Sequence, residues 1–170
     1  MPTTSEPNER ITAYGLELID IHDRLREQLT RLRADIEAHL DGAGPPPRDL
    51  PTHCLAFCTA LQRHHTAEDD HAFTALARQH PDLAPVLDVL RRDHGLVGDM
   101  LRRLPDLIAE LPAAAGDPAR AARLLSTVDG LFALLESHFT YEERKLVAAL
   151  NRLDAGGATT AYLLGVDPDA

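Results

Sequence analysis

Apolar residues recur three and four apart along most of the chain, and no stretch sustains the strict alternation of a half-buried strand. The first run places Ile11, Tyr14, Leu18, Leu25, Leu29, Leu32 and Ile36 on one stripe, and the slot that completes the spacing between Leu18 and Leu25 holds His22. The second run, read at about 100° per residue, puts Cys54, Cys58, Leu61, Ala72 and Leu76 on a face shared by His65 and Glu68, with His64 at its edge. The third steps through Leu83, Leu87, Leu90, His94, Val97, Leu101 and Leu104, so a histidine again stands where a leucine is expected. The fourth passes from Leu124, Val128, Leu131 and Leu135 to His138 and Glu142, then resumes at Leu146 and Ala149. Asp117 is its expected N-cap, with Pro118 at the first helical position.

Proline- and glycine-bearing joints separate the runs: GAGPPPRDLP at 42–51, HPDLAP at 80–85 and PAAAGDP at 112–118. The pattern predicts an all-α protein, an antiparallel up-down-up-down four-helix bundle over residues 10–153, followed by a C-terminal tail at 154–170. In that tail Tyr162, Leu163 and Leu164 are apolar enough to dock on the bundle or to mediate self-association. An internal repeat supports the division. A shift of 74 overlays His64, Thr66, Glu68, Asp69, Ala75 and Leu76 on His138, Thr140, Glu142, Glu143, Ala149 and Leu150; a shift of 72 overlays Leu18, His22, Leu25, Leu29 and Leu32 on Leu90, His94, Val97, Leu101 and Leu104. The chain thus reads as two helical hairpins, each with one lone core histidine and one HxxxE pair.

Charge and composition narrow the function. A formal net charge of −10, with 17 basic and 27 acidic residues and no long basic run, offers no footprint for a phosphate backbone, so nucleic acid is not an expected partner. The opening MPTTSEPNER lacks the apolar core of a secretion signal and no segment approaches a membrane span of roughly 18 apolar residues; a cytoplasmic location and no membrane association are expected. Cys54 and Cys58, four apart on a helix, suit neither a disulfide nor a zinc motif and read as small core residues. His39, His53, His71 and His80 fall outside the repeat and read as surface or cap residues. Tyr141 is either a donor behind Glu142 or a packing residue.

A single histidine on an apolar face is usually a hydrogen-bonded core residue. Here every run carries one in a core-facing slot, and two carboxylates share the interior, each costing several kcal/mol unless neutralised. Residues four apart on a helix are stacked neighbours, so His64 with Glu68 and His138 with Glu142 each present a nitrogen and an oxygen toward one point. His65 with Asp69 has the same spacing and is the alternative pair. Imidazole and carboxylate without thiolate suit iron, manganese or zinc, and seven such side chains are too many for one ion but suitable for two.

The segments HHTAED and HFTYEE, in the order His, HHxxE, His, HxxxE across four helices, resemble the HHE cation-binding domain of the hemerythrin-like family. The resemblance implies that His22, His64, His65, Glu68, His94, His138 and Glu142 are the ligands of two iron ions, a non-haem di-iron centre with an oxo or hydroxo bridge and with Glu68 and Glu142 bridging. The sequence departs from oxygen-carrying hemerythrins in offering only His94 on its third helix and HxxxE as its last pair; His65 supplies the further imidazole in the HHE branch. Five imidazoles and two carboxylates stabilise high oxidation states less than a carboxylate-rich site does. The first expectation is therefore binding or sensing of a small diatomic or oxidant (dioxygen, nitric oxide or peroxide) at an open iron position. A catalase-like, peroxide-reactive enzyme and an iron-storage protein are the alternatives. No output module accompanies the four runs, so a sensor implies an unidentified protein partner.

Overall fold

The computed structural model describes residues 13–42 and 48–166. Ile11, the start of the expected bundle, the residues numbered 43–47 in the first joint and the last four residues of the tail lie outside them. The described residues are helical, with no strand among them. They form α1 (Tyr14–Leu40), α2 (Leu50–Ala67), a π-helical turn (Glu68–Ala72), α3 (Phe73–Gln79), a 3-10 turn (Pro81–Leu83), α4 (Ala84–Ala109), α5 (Leu111–Ala114), α6 (Pro118–Asn151) and α7 (Thr160–Leu164). The second predicted run is therefore two helices joined by a π turn. The joint before α6 and the tail each contain a short helix that the apolar period does not reveal.

α6 starts as its sequence dictates. Pro118 loses nothing at a position whose N–H has no helical partner, and the Asp117 carboxylate accepts the Arg120 N–H at 3.1 Å. The apolar stripes meet in one core. Leu18, Leu25, Leu29, Leu32 and Ile36 of α1 are buried, as are Leu87, Leu90, Val97, Leu101 and Leu104 of α4 and Leu124, Val128, Leu131, Leu135, Leu146 and Ala149 of α6. Two expected core positions, Cys58 and Leu83, are only partly buried, while Phe57 and Phe73 lie in the core without having been marked by the pattern. His39 is also buried, at 7 % exposure, so of the surface and cap expectations the surface one fails there; it occupies the last turn of α1.

Helix α1 packs on α6 and α2, and α4 packs on α2 and α6. Along α1 the partners on α6 fall in number as the chain rises: Gly15 N–H donates to Asn151 Oδ1, Arg26 Nε to Glu136 and Arg33 Nε to Asp129, so these two helices run in opposite directions. Gly15 permits a close approach of the pair, since a Cβ there would lie 2.5 Å from the Val147 carbonyl oxygen. Gly15→Ala is expected to destabilise the fold by about 1–3 kcal/mol, the usual effect of overpacking, measured by denaturant unfolding; an unchanged midpoint would show that the two helices are free to part.

A candidate metal centre

The four long helical segments deliver seven polar side chains to one place in the core. His22 comes from α1, His64 and His65 from the last turn of α2, Glu68 from the π turn, His94 from the middle of α4, and His138 and Glu142 from α6. None is more than 6 % exposed, and Glu68 and Glu142 are fully buried. Three sets have ligand-capable atoms within 4.8 Å of one another: His65, His94 and His138; His22, His64 and Glu68; and Glu68, His94 and Glu142.

The outer nitrogens of four of these rings are occupied by groups that only accept. His22 Nδ1 donates to Glu143 Oε1 at 2.9 Å, His64 Nδ1 to the Leu164 carbonyl at 2.7 Å, His94 Nδ1 to Asp69 Oδ1 at 2.8 Å and His138 Nδ1, more loosely, to Asp93 Oδ2 at 3.4 Å. Each Nδ1 therefore carries the proton, and each Nε2 turns a lone pair toward the cluster, the tautomer that metal-bound histidines are given by such partners. The inner ends are bare. His65 Nε2, His94 Nε2, His138 Nε2 and both oxygens of Glu68 and Glu142 are buried without a hydrogen-bond partner. His22 Nε2 and His64 Nε2 face each other at 3.2 Å, and with both Nδ1 atoms protonated neither can donate to the other without becoming imidazolium. Burial opposes that charge, holding His22, His64 and His65 well below the ordinary imidazole value and His138 down to about 4.

The carboxylates sit between the sets. Glu68 Oε1 is 3.3 Å from His64 Nε2 and Oε2 is 3.4 Å from His94 Nε2, while Glu142 Oε2 is 3.6 Å from His22 Nε2 and 3.4 Å from His138 Nε2. These separations are long for hydrogen bonds. They suit atoms sharing one cation, because bonds of about 2.0–2.2 Å leave neighbouring ligands roughly 3–3.5 Å apart. Burial pushes both carboxyls up, Glu68 also under the charge of Glu142. Without a cation, a buried group of this kind stays neutral; with one, the bare lone pairs have a partner. The residues therefore fit bound metal cations.

The internal repeat extends to the outer acceptors. The His94–Asp69 bond and the His22–Glu143 bond are repeat equivalents, as are the His64–Glu68 and His138–Glu142 neighbours. Asp69, one-third exposed and bonded to His94 from outside, is thereby placed behind the cluster, not in it. Arg26 in turn holds Glu143 at 2.8 Å and Glu136 at 3.0 Å. Among the inward rings the repeat breaks at His65: stacked 3.9 Å from the His94 ring, it corresponds to Phe139, stacked 4.1 Å from the His22 ring. One side of the cluster consequently has three imidazoles and the other has two.

With this arrangement in view the comparison with known families is direct: the hemerythrin HHE cation-binding domain matches residues 17–150. The chain belongs to that family. No curated protein and no solved structure gives a significant match. The hemerythrin-like domain carries His and Glu clusters able to hold metal cations, and among its described residues no helix is long and apolar enough to cross a membrane.

The remaining expected residues lie elsewhere. His53 is exposed, His71 stacks on the Tyr162 ring at 3.9 Å, and His80 ends α3. Tyr141 lines a groove on the outside of α6 under Lys145, a packing position. Cys54 is buried, Cys58 half-buried, and both are free. The sequence reading missed Asp93 and the Leu164 carbonyl as outer partners; an acidic residue directly before His94 was the available sign of the first, and a main-chain oxygen leaves none.

The shifts give the metal-free domain a pH optimum. Histidines whose folded pKa is lowered bind more protons when unfolded, so His22, His64, His65 and His138 lose stability for the fold as pH falls below about 6.5. Glu68 and Glu142, raised, act in the opposite sense and weaken the fold as pH rises above about 4.5. Below about 6.5 the four histidines outnumber the carboxyls, and above it the carboxyl effect, carried foremost by the strongly raised Glu68, is left to act. The metal-free melting temperature is expected to peak near about pH 6.5, with limbs of roughly 1.4 kcal/mol per pH unit for each net proton. Melts that rise steadily through about pH 8 would contradict this.

Proposed function

We propose that this hemerythrin-like domain is a non-haem di-iron protein, an antiparallel up-down-up-down four-helix bundle that binds or senses a small diatomic or oxidant at an open iron position. The observation that carries the reading is the three-against-two division of inward imidazoles, with Phe139 standing where the repeat would place a sixth. His65, His94 and His138 would hold one ion, His22 and His64 the other, and Glu68 and Glu142 would supply carboxylate oxygens. Iron bound there supplies a vacant coordination position and electrons that can pass to a small ligand. The chain's own residues do the rest. Glu143, Asp69, Asp93 and the Leu164 carbonyl fix the ring tautomers; Arg26 holds Glu143; the leucine core excludes bulk water and larger substrates.

Small molecules have an approach on each side of the cluster: a cavity of about 620 Å³ reaches His65 and His94 of the three-histidine set, between polar residues that include Asp69, Arg91 and Arg92. A smaller one of about 160 Å³ between α1 and α2 reaches His64 of the two-histidine set, and its wall, apolar at Ile21, Leu25, Ala60 and Val166 with Arg24, Gln28 and Arg63 also lining it, suits a small uncharged guest. A cytoplasmic setting and a protein partner that reads the bound state belong to the same proposal. Mixing reduced, iron-loaded protein with nitric oxide or dioxygen tests it. A rapid change in the visible spectrum is expected; an unchanged spectrum removes the binding reading, and oxygen evolution from added peroxide above that of free iron moves the assignment to an enzyme.

A further inference from the structure

The residues after the matched domain take part in the centre. The chain leaves α6 at Asn151, and Asp154 is then clasped by Gln79, whose side chain accepts the Asp154 N–H at 2.9 Å and donates to its carbonyl at 2.6 Å. Tyr14 Oη donates to the Ala158 carbonyl, and Thr160 bonds Glu17. Helix α7 follows, capped by the Thr159 hydroxyl, with Leu163 and Leu164 buried against α2 and the π turn. It stops at Gly165, whose φ of +70° ends the helix in the left-handed region. A Cβ on Gly165 would lie 2.4 Å from the Arg63 carbonyl oxygen and 3.0 Å from His64 Cα. Only glycine satisfies both demands, and satisfying them brings the preceding carbonyl, that of Leu164, to 2.7 Å from His64 Nδ1.

We infer that residues 160–166 form a strap whose Leu164 carbonyl is the positioning group for His64, so that the two-histidine half of the centre depends on chain beyond the matched domain. The inference rests on the metal reading above. His22, His94 and His138 take their outer partner from α6, the π turn and α4, elements of the matched domain, whereas His64 takes its partner from the strap alone. Val166 and Gly165 also wall the cavity that reaches His64, so the same segment sets the ring and covers the approach to it.

The test uses the full chain carrying Gly165→Ala, beside Gly157→Ala, which has a φ of +83° but open space around its Cβ. In metal-free protein the ring ¹⁵N shifts of His64 are expected to report the Nδ1–H tautomer in the parent and in Gly157→Ala, and its loss in Gly165→Ala. In iron titrations Gly165→Ala is expected to keep one site and to lose roughly 10- to 100-fold in affinity at the other, the usual effect of removing an outer partner. Should Gly165→Ala lose helicity, Tyr14→Phe releases the strap more gently and is expected to move both readouts in the same direction. Parental tautomer and parental affinity at both sites in these variants would overturn the strap inference. A parent chain that shows the tautomer yet takes up no metal would instead overturn the metal reading.

Discussion

Glu68→Leu is expected to make the metal-free domain more stable and to prevent it from holding two ions. Glu68 is fully buried, and both of its oxygens lack a hydrogen-bond partner, so its carboxyl carries an uncompensated desolvation cost. Replacing such a group by an apolar side chain of similar volume recovers about 1–3 kcal/mol. The neighbours are not orphaned by the change, because His64 and His94 keep their outer bonds to the Leu164 carbonyl and Asp69. The same carboxylate lies 3.3 Å from an imidazole of the two-histidine set and 3.4 Å from one of the three-histidine set, so its loss reaches both. Melting of the metal-free proteins, with metal counted per chain after loading, checks both halves. A core residue of purely structural value behaves the other way: a less stable metal-free variant, or one that still takes two ions, would remove Glu68 from the role proposed for it.

The second large effect concerns the position that breaks the repeat. Phe139 stacks on the His22 ring and lies under the Arg26 guanidinium, 5.3 Å from its centroid. Its repeat equivalent is His65, which belongs to the three-histidine set. Phe139→His would restore the sixth imidazole beside His22 and His64 and fill the position left for a ligand. Metal content is expected to persist, while affinity for nitric oxide or azide falls at least about a hundredfold, about 2.7 kcal/mol. Equal ligand affinity in the parent and Phe139→His, with iron present in both, would show that the ligand position lies elsewhere.

Most of this was legible because burial in a helix leaves a periodic trace. A histidine in a leucine slot at His22, His94 and His138 is visible against its stripe, and those positions are buried together with Glu68 and Glu142. The repeat even overlaid Asp69 on Glu143, whose common task of holding an outer ring nitrogen only the geometry reveals. Three features left no such trace. The π turn at Glu68–Ala72 has the same apolar spacing as its continuous counterpart in α6, and only the first copy has α7 packed against it. Five residues of α7 are too few to display a period. The Leu164 carbonyl acts through the main chain, where side-chain chemistry gives no sign. Phe73 was missed for the first of these reasons, since the π turn rotates the face that follows it.

In the proposed centre, inward lone pairs of five histidines and two glutamates surround two cations. Metal counted per folded chain, in protein isolated without added metal and again after anaerobic loading with ferrous iron, tests this most directly. Two iron ions per chain are predicted after loading, with none displaced by gel filtration. A folded chain that retains none, or that binds metal equally well when His22, His64, His65, His94 and His138 are all replaced, would contradict it.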